Sequence, residues 1–152
     1  MNTQKTPQNA LEDIKISLKL KLATLWASLV FLIIYLDYLH LFMQSKIEDI
    51  QTGRVFEFDI TQGFLLAALA SVAIPALMIF LSVALPAKVN RWANIIIAAV
   101  YIPFTLFNLA GKAWMHMVFG AVVEVVLLCL IIRYAWKWPR IENEKSYERK
   151  IL

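Results

Sequence analysis

Four long blocks of apolar residues, separated by short polar connectors, make up most of this chain. A membrane-spanning helix needs about 20 apolar residues to cross about 30 Å of hydrocarbon, and each block has roughly that length. The pattern predicts an all-α fold, an integral membrane four-helix bundle that forms a single transmembrane domain. The predicted spans are about 20–43, 62–85, 92–110 and 113–136 of residues 1–152.

The polar segments between and beyond the spans complete the predicted organisation. Residues 1–19 form a polar N-terminal segment, 44–61 an outer loop, and 139–152 a polar tail. The first segment lacks the short apolar stretch of a secretory signal, so we expect the first span to remain in the protein. Alternation of apolar and acidic residues over 56–60 predicts a short strand or an interfacial segment in the loop.

The distribution of cations predicts the orientation. Twelve Lys and Arg residues fall on the side that holds both termini and the second connector, and three fall on the side of the outer loop. Lys and Arg collect on the cytoplasmic side of membrane proteins. We therefore expect both termini to be cytoplasmic and the protein to lie in the cell inner membrane as a multi-pass protein.

Composition narrows the classes of function. The chain is 61% hydrophobic and 17% charged, whereas average soluble domains carry about half apolar and about a quarter charged residues. Its net charge of +4 is not concentrated in a basic tract, so we do not expect it to bind nucleic acid. The partner that we expect is the lipid bilayer. A single cysteine, Cys129, excludes an internal disulfide and a CxxC redox pair.

Two packing signals stand out within the spans. Small residues recur every four positions in span two, from Gly63 through Ala67 and Ser71 to Pro75, which favours close helix approach and predicts span two as the most buried helix. Tryptophans lie close to predicted span ends and are interpreted as interfacial anchors. They are Trp26, Trp92, Trp114, Trp136 and Trp138.

Ionisable residues inside the spans are the candidates for function. Asp37 and His40, in YLDYLH, lie three residues apart and share a helix face in the outer half of span one. Glu124 lies near the middle of span four, with His116 two turns before it. A charge at mid-membrane costs at least about 2.5 kcal/mol, so Glu124 must be protonated, paired or hydrated.

If spans one and four are adjacent, these residues form a candidate polar site for a proton, small solute, ion or bound ligand. The four members are Asp37, His40, His116 and Glu124, and the supporting hydrogen-bonding residues are Tyr35, Tyr38, Tyr101 and Asn108. The alternative is that these residues have no functional role, and that each charge is paired with a neighbouring side chain or reaches the membrane interface. No soluble-enzyme motif accompanies them, so we expect no metal, no cofactor and no catalytic residues.

Three classes of function remain open. The first is a small-solute, ion or proton pathway, or a ligand-binding membrane protein, which the depth of Glu124 favours. The second is a structural or accessory subunit of a membrane complex, as a homo-oligomer or with a partner membrane subunit. The third is a membrane enzyme or redox protein acting on a lipid, quinone or haem, which the tyrosines and histidines allow but do not specify.

Three stretches together resemble a family of small bacterial four-span membrane proteins of unknown function, over about residues 10–140. The stretches are ALEDIKISLKLKLATLWASLVFLIIYLDYLHLF, IPALMIFLSVALPAKVNRWANII and VVEVVLLCLIIRYAWKWPR. The resemblance implies a four-helix domain in a bacterial inner membrane and implies no activity. Asp37 and Glu124 both fall inside the resembling stretches.

Overall fold

The computed structural model describes residues 15–55, 58–110 and 113–139. The predicted tail from residue 140 onward and the first 14 residues of the predicted N-terminal segment lie outside the described residues. In chain order the elements are α1 (Leu18–His40), α2 (Lys46–Gln51), β1 (Arg54–Val55), β2 (Phe58–Asp59), α3 (Gln62–Ala84), α4 (Ala87–Phe107) and α5 (Met115–Trp136).

Four of these helices, α1, α3, α4 and α5, are long and apolar enough to cross a membrane. The prediction of an all-α membrane four-helix bundle is therefore confirmed, and the chain is a multi-pass membrane protein. Helix α4 begins five residues before the predicted span at 92, directly after Pro86, which occupies its N-cap position. The polar residues of its first turns interrupt the apolar pattern but do not interrupt the helix.

The loop after α1 contains regular secondary structure. It contains the short helix α2 and an antiparallel hairpin in which Arg54 faces Asp59 and Val55 faces Phe58. Gly53 precedes the hairpin with a φ of +82°, in the region that glycine adopts without steric cost. Within the alternating segment, Phe58 and Asp59 therefore form a strand, one of the two predicted alternatives.

The four long helices pack in the order α3, α1, α5, α4. Helix α1 contacts both α3 and α5, and α5 also contacts α4, whereas the backbones of α3 and α4 approach each other little. Buried side chains from all four helices form one core. Its members are Leu22, Trp26, Leu29, Met78, Ala98, Tyr101, Leu128, Ile131 and Ala135.

Helix α3 is the least buried of the four long helices and α5 is the most buried, so the prediction for span two is wrong. Of the small-residue stripe, Gly63 and Ala67 are exposed on the bundle surface and only Pro75 is buried. Helix α3 contacts α1 mainly, and the start of the stripe does not face that contact. Small residues allow close packing but do not fix which neighbour is present.

Trp26 is not an interfacial anchor. Its side chain is fully buried, its indole N–H donates to the Asn94 side-chain oxygen at 2.7 Å, and its ring meets the edge of Tyr101 at 6.4 Å between centroids. An indole can be buried when its N–H has a partner. Trp92 and Trp136, by contrast, are exposed near the ends of their helices.

Asn94 is the centre of a buried polar network between α1, α3 and α4. Its side-chain oxygen also accepts from the Ser82 hydroxyl at 3.3 Å. Its amide donates to the backbone oxygen of Asn90 at 2.9 Å and to the Asn90 side-chain oxygen at 2.6 Å, and Asn90 in turn donates to the Ser82 carbonyl. The asparagine amide thus uses both donors and both lone pairs.

The two ends of the bundle differ in character. The basic end is formed by the start of α1, the α3–α4 connection and the end of α5, where Arg91 lies 5.7 Å from the ring centroids of Trp92 and Trp136 and Lys21 lies 5.8 Å from that of Tyr134. The loop end carries α2 and the hairpin. At these distances the ring faces attract the cations.

Candidate functional site

Glu124 lies near the middle of α5 and is 6% exposed. Its Oε2 atom accepts a hydrogen bond of 2.9 Å from the hydroxyl of Thr105 on α4, a residue that is 4% exposed. This is the one hydrogen bond to the Glu124 carboxyl group among the described residues. One donor satisfies a carboxylate poorly, so the site retains capacity to bind a proton.

The antiparallel pairing of α1 and α5 brings the two histidines together. The rings of His40 and His116 lie 5.8 Å apart in an edge-to-face arrangement. One turn deeper, the Leu36 side chain packs so closely on Gly120 that a Cβ atom there would overlap it. Glu124 follows one further turn below, about 6 Å along the helix.

Asp37 lies between the histidines and Glu124 in depth. It is exposed on the bundle surface, and its carboxyl group interacts electrostatically with His40 and with the Glu124 carboxyl. The structure therefore brings together the four predicted members of the site on α1 and α5.

The supporting residues do not join this group. Tyr35 and Tyr38 are exposed on the outer surface of α1, and Asn108 is exposed at the end of α4. The Tyr101 hydroxyl donates to the Ser71 carbonyl on α3 at 2.6 Å. Their supporting role stays a prediction: among the described residues, none of the four has a hydrogen bond to Glu124, whose carboxyl group is bonded by Thr105.

Thr105 is the site residue that sequence reasoning missed. A threonine in an apolar helix commonly bonds a carbonyl of its own preceding turn, so its sequence position gave no reason to pair it with Glu124. The adjacency of α4 and α5 supplies that pairing. The weak signal available was a hydroxyl residue near the C-terminal end of span three, a part of the chain that is otherwise apolar.

Replacing Thr105 by valine, which has nearly the same shape, is expected to lower the free energy of unfolding by about 1–2 kcal/mol. The buried Glu124 carboxyl group would lose its donor. Thr24→Val is the matched control, since the Thr24 hydroxyl is exposed and bonds only the Lys21 carbonyl of its own helix. The measurement is unfolding in mixed detergent micelles, and equal effects of both variants would contradict the role of Thr105.

The chemistry of the group is that of proton binding. Imidazole and carboxyl side chains exchange protons readily, and the His116 Nε2 atom is buried without a hydrogen-bond partner among the described residues. Within the described part of the chain, no group of three or more His, Cys, Asp or Glu side chains is arranged to hold a metal ion.

Comparisons with known proteins give a family without an activity. The model of a family of unknown function (DUF6326) matches residues 13–145. No curated protein and no solved structure matches the chain.

Proposed function

The chain belongs to a family of unknown function (DUF6326), and we propose from its geometry that it exchanges a proton at Glu124 within the membrane. The exchange would serve a small-solute, ion or proton pathway. The observation that carries this proposal is a carboxyl group buried at mid-span with one hydrogen-bond donor and a second carboxyl group nearby. Intramembrane carboxyl groups are costly to keep, which favours a functional role over an inert one.

The order of the ionisable groups supports access from the loop end. His40 and His116 lie nearest that end, Asp37 follows, and Glu124 is deepest. The Leu36 side chain on Gly120 separates the histidines from Glu124. A proton would therefore pass from the histidines to Asp37 and then to Glu124, with Asp37 on the surface side of that apolar contact.

The same proposal includes an orientation. With both termini cytoplasmic, the basic end lies at the cytoplasmic face of the inner membrane and the loop end faces outward. The excess of cations beside the termini supports this arrangement. Glu124 would then exchange its proton with the outer side, which makes the pathway testable in vesicles of known orientation.

Glu124→Gln is expected to remove proton uptake from this site and to leave the fold intact. Glutamine has nearly the same shape, and its side-chain oxygen still accepts from Thr105. The measurement is the number of protons taken up per chain after an external pH drop, followed with an impermeant dye on proteoliposomes with the loop end outward. Glu48→Gln, a change of the same kind in the exposed part of α2, is the control.

The expected difference is uptake that wild type and Glu48→Gln share and that Glu124→Gln lacks. Equal uptake by wild type and Glu124→Gln over the whole pH range would contradict the proposal. Asp37→Asn should slow the uptake without abolishing it, because Glu124 remains. A variant is compared only after its helix content and unfolding midpoint match wild type.

A second function, that of a structural subunit, is favoured by a separate observation. Helix α3 is the least buried long helix, and its small residues Gly63 and Ala67 are exposed. Such a face suits association with another membrane helix, from a second copy or a partner subunit. Native mass spectrometry in mild detergent tests this function, and free monomer alone would count against it.

A further inference from the structure

An open groove of about 620 Å³ runs along the surface between α1 and α3, close to the basic end. Leu20 and Val83 line the part nearest that end, and Ala27 and Ala76 line the deeper part. From residue 20 to 27, α1 rises about 10 Å, so the groove begins near the membrane interface and enters the hydrocarbon.

The walls of the groove are apolar throughout. Its lining contains a single hydroxyl group, that of Thr24, which donates to the Lys21 carbonyl of its own helix at 2.9 Å. The groove can therefore contact an alkyl chain along its length, and it leaves no lining group that needs a polar ligand. Small side chains of alanine give it depth.

A cation is fixed at the mouth of the groove. The ammonium group of Lys19 donates to the Val83 carbonyl at 3.0 Å and to the Leu85 carbonyl at 2.7 Å. These carbonyls belong to the C-terminal turn of α3, where backbone acceptors lack helical partners. An ammonium group has three donors, so one donor of Lys19 is left for a ligand. The partial negative charge of the helix end offsets only part of the positive charge of Lys19.

We propose that this groove binds an anionic phospholipid, with one acyl chain along α1 and α3 and the phosphate at Lys19. A charged head joined to an alkyl chain matches a cation at the mouth of an apolar groove. Pockets of this kind between membrane helices recognise anionic head groups. The exposed residues Lys15 and Lys88 add positive charge at the same end of the bundle. The site is distant from Glu124, so it does not depend on the proposed proton exchange.

The test compares two lipids with identical acyl chains, phosphatidylglycerol and phosphatidylcholine. Purified protein in mild detergent is mixed with equal amounts of both, and the retained lipid is measured by native mass spectrometry. Wild type is expected to prefer phosphatidylglycerol by about fivefold, the effect of one lysine near a membrane surface. Lys19→Gln should abolish the preference, and Lys19→Arg should keep it.

Lys21→Gln is the matched control, because it removes the same charge two residues away. The Lys21 ammonium lies over the Tyr134 ring on α5 rather than beside α3, so this variant should retain the preference. Equal binding of both lipids by wild type, or equal losses in Lys19→Gln and Lys21→Gln, would overturn the proposal.

A second pair of variants tests the groove itself. Ala27→Leu fills its deeper part and should lower the retention of both lipids, whereas Ala99→Leu, at an exposed position of α4, should not. Unchanged retention in Ala27→Leu would overturn the placement of the acyl chain. Displacement of phosphatidylglycerol by soluble glycerol phosphate would also overturn it, since the head group alone would then suffice.

Discussion

Replacing Asn94 by leucine is expected to lower the free energy of unfolding by about 2–4 kcal/mol. The substitution removes four hydrogen bonds, to Trp26, to Ser82 and twice to Asn90. The buried indole N–H of Trp26 would be left without its acceptor inside an apolar core. Interhelical hydrogen bonds in membrane proteins average about 0.6 kcal/mol, and an unsatisfied buried donor costs more.

Asn108→Leu is the control for this prediction, because it makes the same change at the exposed C-cap position that follows the same helix. It should alter stability by less than about 0.5 kcal/mol. Unfolding is followed by tryptophan fluorescence in mixed detergent micelles, where the transfer of Trp26 from the core gives the signal. Equal stability of Asn94→Leu and Asn108→Leu would contradict this prediction, because the Asn94 network would then contribute nothing to the packing of the helices.

Gly120→Leu is expected to lower the free energy of unfolding by about 1–3 kcal/mol. Even a Cβ atom at this position would overlap the side chain of Leu36, so a leucine requires Leu36 to change its conformation or α1 and α5 to separate. Any separation of the two helices would also move His40 away from His116, one turn above. The variant therefore affects both the packing and the candidate site.

Gly63→Leu provides the matched comparison. At Gly63 the nearest neighbour of an added Cβ atom is the Thr61 hydroxyl oxygen at 3.8 Å, so the substitution should be tolerated. Adding Leu36→Ala to Gly120→Leu should restore part of the lost stability, because it frees the volume that the new side chain needs. If Gly120→Leu and Gly63→Leu unfold alike, the close contact of α1 and α5 at this level is wrong.

The existence of the long helices could be predicted because each is an apolar run of spanning length. Their neighbours could not. In lipid an apolar side chain is as well solvated outside the bundle as inside it, so hydrophobic residues do not mark the buried face. For this reason the small residues of α3 indicated burial that the structure does not have, while α1 and α5 occupy the two central positions.

The buried polar residues, too, could be predicted only in part. Glu124 was recognisable because a carboxyl group at mid-span is unusual. The sequence did not mark Asn90 and Asn94 as buried, because they lie at the basic connector, where polar residues suit the membrane interface. Their burial depends on Trp26 and Ser82 from two other helices, and sequence spacing within one helix cannot supply that information.

Infrared difference spectroscopy of the protein in lipid vesicles, between two pH values, tests proton exchange at Glu124 directly. If Glu124 exchanges its proton, a carboxylic acid band whose intensity changes with pH is present in wild type and in Glu48→Gln and absent in Glu124→Gln. Identical difference spectra for wild type and Glu124→Gln would show that Glu124 does not exchange its proton, and that its carboxyl group serves only to hold α4 and α5 together through Thr105.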